Sequence, residues 1–383
     1  MFKGFRIGSI AGIPIKLDVT LLLILPVMAY LIASGMPEAA DALNVTLDAG
    51  LDVDVLTEGM LPWIIGFAAA IGLFVCVLLH ELGHAAVARR YGYGIESITL
   101  WLLGGIARPE EQPDRWNHEL WIALGGPVVS VAIGVGCVLF LDAIPSDPAR
   151  FVVGYLAVLN VVLAVFNMIP AFPLDGGRVL RALLGRTRSR VAATEIAVSV
   201  GKSFAVVLAF LGLLVFNPFL IAVAFFVYIA AAAEGRQTAL KATFEGVRAG
   251  DVMTPVGELR TVEPTESLAE MLDRMFRERH TGYPVLDSGR LVGIVTLEDV
   301  RDVDPEARQA TTAGDVMSSD LESVQPETEA VEAMQRLGSG DIGRLLVVDE
   351  SGSLAGIVTR SDLVTAMNVM RERRSVEAAS PLE

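Results

Sequence analysis

Six apolar runs punctuate the chain as far as Ala233, and a polar half with shorter periods follows them. A run needs about 20 residues to cross a hydrocarbon core of about 30 Å. The runs cover about Val19–Ser34, Leu61–Leu79, Leu120–Leu141, Phe151–Ile169, Ile196–Val215 and Phe219–Ala233. The second is expected to continue as a helix to about Tyr91, and Asn217-Pro218 predicts a tight hairpin between the last two. Gly94–Asn117 breaks the helical pattern. Its β-branched and aromatic residues, followed by Gly104-Gly105, predict one or two short strands with a glycine turn. A strand beside a membrane must pair its backbone. Ile95–Leu103 is therefore read as a template for an incoming extended peptide, with a plain interfacial hairpin as the alternative. The expected fold is an α-helical polytopic membrane domain of six spans followed by a soluble α/β module.

The polar half carries the same signatures twice. Gly250-Asp251-Val252-Met253-Thr254 recurs as Gly314-Asp315-Val316-Met317-Ser318. Gly293-Ile294-Val295-Thr296-Leu297-Glu298-Asp299 recurs as Gly356-Ile357-Val358-Thr359-Arg360-Ser361-Asp362. Each copy has an amphipathic helix and then an apolar strand between these signatures. The expected domain limits are 1–245, 246–308, 309–370, and a charged tail, 371–383, expected to be disordered.

Charge separates the same halves. Residues 1–245 carry 19 acids against 16 bases, and residues 246–383 carry 26 against 14. No basic stripe stands out in the soluble half, which argues against nucleic acid as a partner. Only four of the 30 basic residues are lysine, a balance that suits a high-salt cytoplasm and that a GC-rich genome also produces. Cys76 and Cys137 lie inside apolar runs, so no disulfide framework is expected. Lys3, Arg6 and Lys16 precede the first run, and Arg89 and Arg90 follow the second. Arg178, Arg181, Arg186, Arg188 and Arg190 follow the fourth, while the Met36–Met60 loop carries six acids and no base. Basic residues mark the cytoplasmic side. The chain is thus expected in the cell membrane, multi-pass, in contact with lipid, with both termini cytoplasmic. Ala40-Asp41-Ala42 resembles a signal cleavage site, yet the apolar run before it starts late and is long for a leader.

His80-Glu81-Leu82-Gly83-His84 closes the second run. Positions i and i+4 share a helix face, so His80 and His84 can offer two imidazoles to one metal with Glu81 beside them. Three ionisable groups in one short motif, directly after a long apolar run, are costly without a partner. A third ligand is sought at similar depth, and His118 and Asp175 are the candidates. Asp175 follows the fourth run, behind the breakers Pro170 and Pro173 and before Gly176-Gly177. Capping of the next helix is the competing role for Asp175. Cys76, one turn before His80, reads as a buried small hydrophobe.

These motifs resemble the site-2 protease family of intramembrane zinc metalloproteases, in its six-span branch, over residues 1–235. The resemblance rests on His80-Glu81-Leu82-Gly83-His84 at one span end, on Asn167 with Pro170 and Leu174-Asp175-Gly176 at another, and on Gly125-Gly126-Pro127. It implies one catalytic Zn²⁺ on His80, His84 and Asp175, with Glu81 as the general base. It implies that Asn167 holds the substrate or the oxyanion, and that transmembrane proteins such as membrane-bound regulators are cleaved. It also implies a membrane-associated sheet that takes the substrate as an added strand.

The repeated half resembles a pair of CBS domains. That likeness implies an adenine nucleotide in the cleft, contacted by Thr296, Asp299, Thr359 and Asp362, and a homodimer through the pair. Thr-x-x-Asp also serves as a helix cap without any ligand. Two other classes compete with a protease: a CBS-regulated ion transporter and a metal-binding inactive scaffold. Glu81 discriminates, because neither needs a base beside the two histidines.

Overall fold

The computed structural model describes residues 4–102, 104–113, 115–339 and 343–379. Lys3, Leu103 and residues 380–383 of the expectations above lie outside it. The chain divides into two compact units, Met1–Thr238 and Ala239–Glu383.

The first unit opens with a hairpin, β1 (Phe5–Ile10) and β2 (Ile13–Leu17). Ala11 and Gly12, both at positive φ, make its two-residue turn. Helices α1 (Val19–Ser34) and α2 (Met36–Leu47) follow, bent by 68° at Gly35. The Asp18 side chain caps α1 by accepting from Thr20 N at 2.9 Å. The short α3 (Val53–Leu56) leads to α4 (Leu61–Arg90), a 30-residue helix of about 45 Å. Strands β3 (Ile95–Trp101) and β4 (Gly104–Pro109) come next. Five helices complete the unit: α5 (Trp116–Phe140), α6 (Asp147–Asn167), α7 (Asp175–Leu184), α8 (Arg190–Leu214) and α9 (Pro218–Thr243).

Five of these helices, α4, α5, α6, α8 and α9, are long and apolar enough to cross a membrane, and a sixth span requires the bent α1–α2 pair. The expected acidic outer loop is instead largely helix. Met36, Ala40 and Leu43 recur every three to four residues on α2 and are buried against α4 and α6. Acids occupy the other face, so composition concealed the helical period.

The four strands form one sheet in the order β1-β2-β3-β4, with β2 and β3 parallel and the other pairs antiparallel. The expected strand at Ile95 exists, but it has a neighbour on each side. β3 therefore has no free edge for a peptide; the edges belong to β1 and β4. The strand that covers β3 on the side away from β4 is β2, where Ile13, Ile15 and Leu17 alternate with Pro14 and Lys16. The Ile13 and Ile15 side chains pack with Ala85 and Ile98 and fix the sheet against α4.

Helices α4 and α5 cross at bare backbone. A Cβ at Gly83 would lie 2.5 Å from Gly125 O, and one at Gly125 would lie 2.6 Å from Gly83 O. Small residues permit such an approach, which dispersion then rewards.

The second unit contains α10 (Ala249–Val252), β5 (Thr254–Pro255), α11 (Leu268–Glu278), β6 (Gly282–Asp287), β7 (Arg290–Thr296) and α12 (Leu297–Arg301). The second copy has α13 (Ala313–Val316), β8 (Ser323–Val324), α14 (Ala330–Ser339), β9 (Arg344–Val348), β10 (Leu354–Thr359) and α15 (Arg360–Ala379). The copies exchange their first segments. β5 pairs with β10, and Ala249 joins the core of the second copy. Ala313 joins the core of the first, and Ser318 bridges Ile294. The tail expected to be disordered continues α15 through Ala379. Arg, Glu and Ala dominate it, and all three favour helix.

The exchange explains the repeated glycine. A Cβ at Gly356 would lie 2.6 Å from both Met253 Sδ and the Thr254 carbonyl oxygen of the other copy. Gly356→Ala is expected to destabilise the second unit by about 1–3 kcal/mol, read as a lowered midpoint in thermal unfolding of the full chain. An unchanged midpoint would show that the exchanged strand yields freely.

Candidate metal centre

The site is assembled from three helices. α4 carries His80 and His84 one turn apart, near its basic end. α6 ends at Asn167, and the Pro170 and Pro173 segment turns the chain into α7, whose first residue is Asp175. Leu174, not Asp175, is the N-cap of α7, and no side-chain cap bond forms there. The Asp175 carboxylate turns instead to the histidines. His80 Nε2 lies 3.1 Å from Asp175 Oδ2, His84 Nε2 lies 3.2 Å from it, and the two nitrogens are 3.2 Å apart. All three residues are buried, at 3%, 5% and 9% exposure.

The far sides of both rings are engaged. His84 Nδ1 lies 2.7 Å from the carbonyl oxygen of Ile122, which only a protonated Nδ1 can satisfy. His80 Nδ1 lies 2.9 Å from Ser130 Oγ. Where Nδ1 carries the proton, as the Ile122 carbonyl requires of His84 and the Ser130 hydroxyl permits in His80, each Nε2 presents a lone pair, and so does Asp175 Oδ2. Three electron pairs facing one point call for a cation. A tetrahedral zinc with bonds of about 2.0–2.1 Å separates its ligands by about 3.3–3.4 Å. The observed separations of 3.1 and 3.2 Å are close to that, and two imidazoles with a carboxylate suit zinc. Among the described residues this is the one group of three or more such side chains that could hold a metal. Ser130 and Ile122, both on α5, gave no motif signal in the sequence. They occupy the positions that outer partners take around metal-binding histidines.

Gly126 makes room for the rings. A Cβ there would collide with His84 Nε2 and lie 2.5 Å from His80 Nε2. Asn167 borders the cluster, with Nδ2 3.5 Å from His80 Nε2. Arg178 Nη1 lies 4.0 Å from the other carboxylate oxygen of Asp175. Glu81 is half-buried and lies against β4, where a Cβ at Gly105 would collide with its Cγ. A cavity of about 40 Å³ beside His84, lined in part by Tyr93, Glu111 and Arg178, is large enough for water. His118 is outside the cluster; it stacks on Tyr91 and hydrogen-bonds Tyr93. Cys76 is buried and also outside it.

Two family models match the chain. Peptidase family M50 matches residues 68–147 and 142–211, and the CBS domain matches residues 249–306 and 313–369. Zinc metalloprotease MJ0392 of Methanocaldococcus jannaschii is 34% identical over 98% of this chain and 100% of its own length. The chain belongs to peptidase family M50. Rip3 of Mycobacterium tuberculosis is 32% identical over 97% of this chain and 94% of its own. The solved structure "Site-2 Protease from Methanocaldococcus jannaschii" is 36% identical and covers 61% of this chain and 95% of that one, with a TM-score of 0.45. This M50 protein is a site-2-protease-like zinc metalloprotease with membrane helices and a CBS pair. The transporter alternative falls with that membership.

In the CBS pair, Thr296 N and Oγ1 donate to Asp299 Oδ2 at 2.7 and 2.8 Å. Thr359 N and Oγ1 donate to Asp362 Oδ2, both at 2.8 Å. Both pairs are thus built as helix caps. Arg344 spans the two copies, donating from Nη2 to Thr281 Oγ1 at 2.6 Å, and burial lowers its pKa. Sequence reading missed this residue because the first copy has Gly282 at the equivalent strand start.

Gly126→Ala is expected to displace both imidazoles while leaving the helices in place. Zinc affinity and proteolysis should both fall by about 10–100-fold, the range for disturbed metal shells. Zinc titration of the purified variant checks this, and wild-type affinity would refute the cradle.

Proposed function

We propose that this protein hydrolyses peptide bonds of membrane-spanning proteins near the cytoplasmic face, with His80, His84 and Asp175 as the ligands of one zinc ion. The observation that carries the reading is the trio of donor atoms at 3.1–3.2 Å whose outer sides are already pinned. A zinc ion there supplies Lewis acidity at the scissile carbonyl and lowers the pKa of a water to about 7. Glu81 accepts the proton of the attacking water and delivers it to the leaving amine. The Asn167 amide donates a hydrogen bond to the developing oxyanion. Water enters from the cavity beside His84.

An intact helix hides its peptide bonds, so the substrate must unwind before it is cut. The free edge of β4, rather than β3, is the partner for the extended segment. Glu81 touches Gly105 of that strand, so a segment paired there passes beside the base. The distribution of Arg and Lys supports a multi-pass chain in the cell membrane with both termini cytoplasmic.

The test is cleavage of a co-reconstituted single-span substrate by wild type and by Glu81→Gln, with zinc assayed in both. Glu81→Gln is expected to retain zinc and lose about 10²–10⁴-fold in rate. Removal of zinc with a chelator should silence the wild type, and added zinc should restore it. Wild-type cleavage by Glu81→Gln would remove Glu81 from the mechanism.

We further infer that the CBS pair binds an adenine nucleotide and self-associates as a homodimer. The caps use Oδ2 of Asp299 and Asp362, and the reading assigns Oδ1 of each to ribose hydroxyls. Thr296 and Thr359 line the phosphate side, and Arg344 supplies a cation there. Calorimetric titration of the full chain with AMP and with ATP tests this. Binding is expected in wild type and a loss of at least tenfold in Asp299→Ala with Asp362→Ala, about the 1.4 kcal/mol of one or two hydrogen bonds. Equal affinity in the double variant would leave the carboxylates as caps alone.

A further inference from the structure

The first unit buries a second charged cluster that the proteolytic reading does not use. Arg181 on α7 is 5% exposed, and Glu119 on α5 is 3% exposed. Arg181 Nε donates to Glu119 Oε1 at 2.7 Å, and Nη2 donates to the same oxygen. Nη1 donates to Glu234 Oε1 on α9 at 2.5 Å. The guanidinium also lies over the Phe172 ring, 4.9 Å from its centroid. Removing such ions from water is costly, and apolar side chains of similar volume often serve stability as well or better. Mere packing is a poor account of this cluster, and its position suggests a better one.

Glu119 lies about one turn before Ile122, whose carbonyl oxygen holds His84. Phe172 precedes Asp175 by three residues, and Arg181 follows it by six on the same short helix. Arg181 therefore grips the chain on both sides of Asp175 and ties it to the helix that pins the histidines. We propose that Arg181 is a positioning residue for the metal centre, its bond to Glu119 fixing the Asp175 carboxylate relative to the two imidazoles. This rests on the zinc reading of the trio. The Glu234 arm reaches α9 and does not lie between the two halves of the trio.

The experiment measures zinc affinity of the full-length protein in detergent, by competition with a chromogenic chelator, together with kcat and KM. Glu119→Gln and Glu234→Gln each leave one arginine facing one carboxylate, so the two variants change the cluster's charge by the same amount and differ only in which arm is lost. Glu119→Gln is expected to weaken zinc binding by about 10–100-fold, as for other outer-partner losses. Arg181→Lys keeps the charge, loses the planar fork, and should weaken zinc in the same direction. Glu234→Gln should stay within about twofold of wild type, well under one hydrogen bond's worth. Saturating zinc should return kcat of Glu119→Gln toward wild type with KM unchanged, a rescue that general loss of stability does not give. Wild-type zinc affinity in both Glu119→Gln and Arg181→Lys overturns the proposal, and so does an equal loss in Glu234→Gln. His80→Ala is the reference. If it keeps wild-type affinity, the zinc reading itself fails; if it alone loses zinc, only the positioning role of Arg181 fails.

Discussion

Three lone pairs held near one another inside an apolar bundle repel, and the surrounding structure must oppose that repulsion until a cation relieves it. Much of the first unit serves this end. The glycine contact between α4 and α5 brings Ser130 and Ile122 within reach of the rings. The proline-broken end of α6 brings Asp175 back to the same depth. Gly126 leaves the space that the rings fill. Each is a backbone feature, so the site's precision comes from how closely helices can approach and not from the polar residues alone.

The legibility of the sequence follows the same division. His80, Glu81 and His84 were readable because charge closing an apolar run is costly and stands out, whereas Asp175 was one of two candidates until the family likeness singled it out. Asn167 was readable only through a family likeness, since an isolated amide carries no spacing rule. Ser130 and the Ile122 carbonyl were invisible: one is a common small residue in a helix, and the other is backbone. Glu119 and Arg181 were present as charges, but Arg181 counted only as part of a cytoplasmic cluster. Nothing in the one-dimensional order shows that these two meet as a buried pair.

Strand order was the largest surprise in the first unit. A run such as Ile95–Leu103 announces its own conformation but not its neighbours. The parallel pairing of β2 with β3 sets Ile15 beside Ile98, across several intervening helices, and only that pairing moves the free edge to β4. The acidic stretch after α1 misled for another reason. Only three buried positions, Met36, Ala40 and Leu43, carry the helical spacing of α2, and so few are easily outweighed by the acids in the same window.

The exchanged segments of the CBS pair have a consequence for how such a module is inherited. Ala313 and Met317 complete the first copy, while Ala249 and Met253 complete the second. Neither copy is whole without residues encoded beside the other. A cut in the linker near residue 308 would yield two fragments, each with an open core and an unpaired strand. A lineage can therefore gain or lose this module only as a pair, and a deletion that respects the repeat boundary in the gene would still break both halves of the protein.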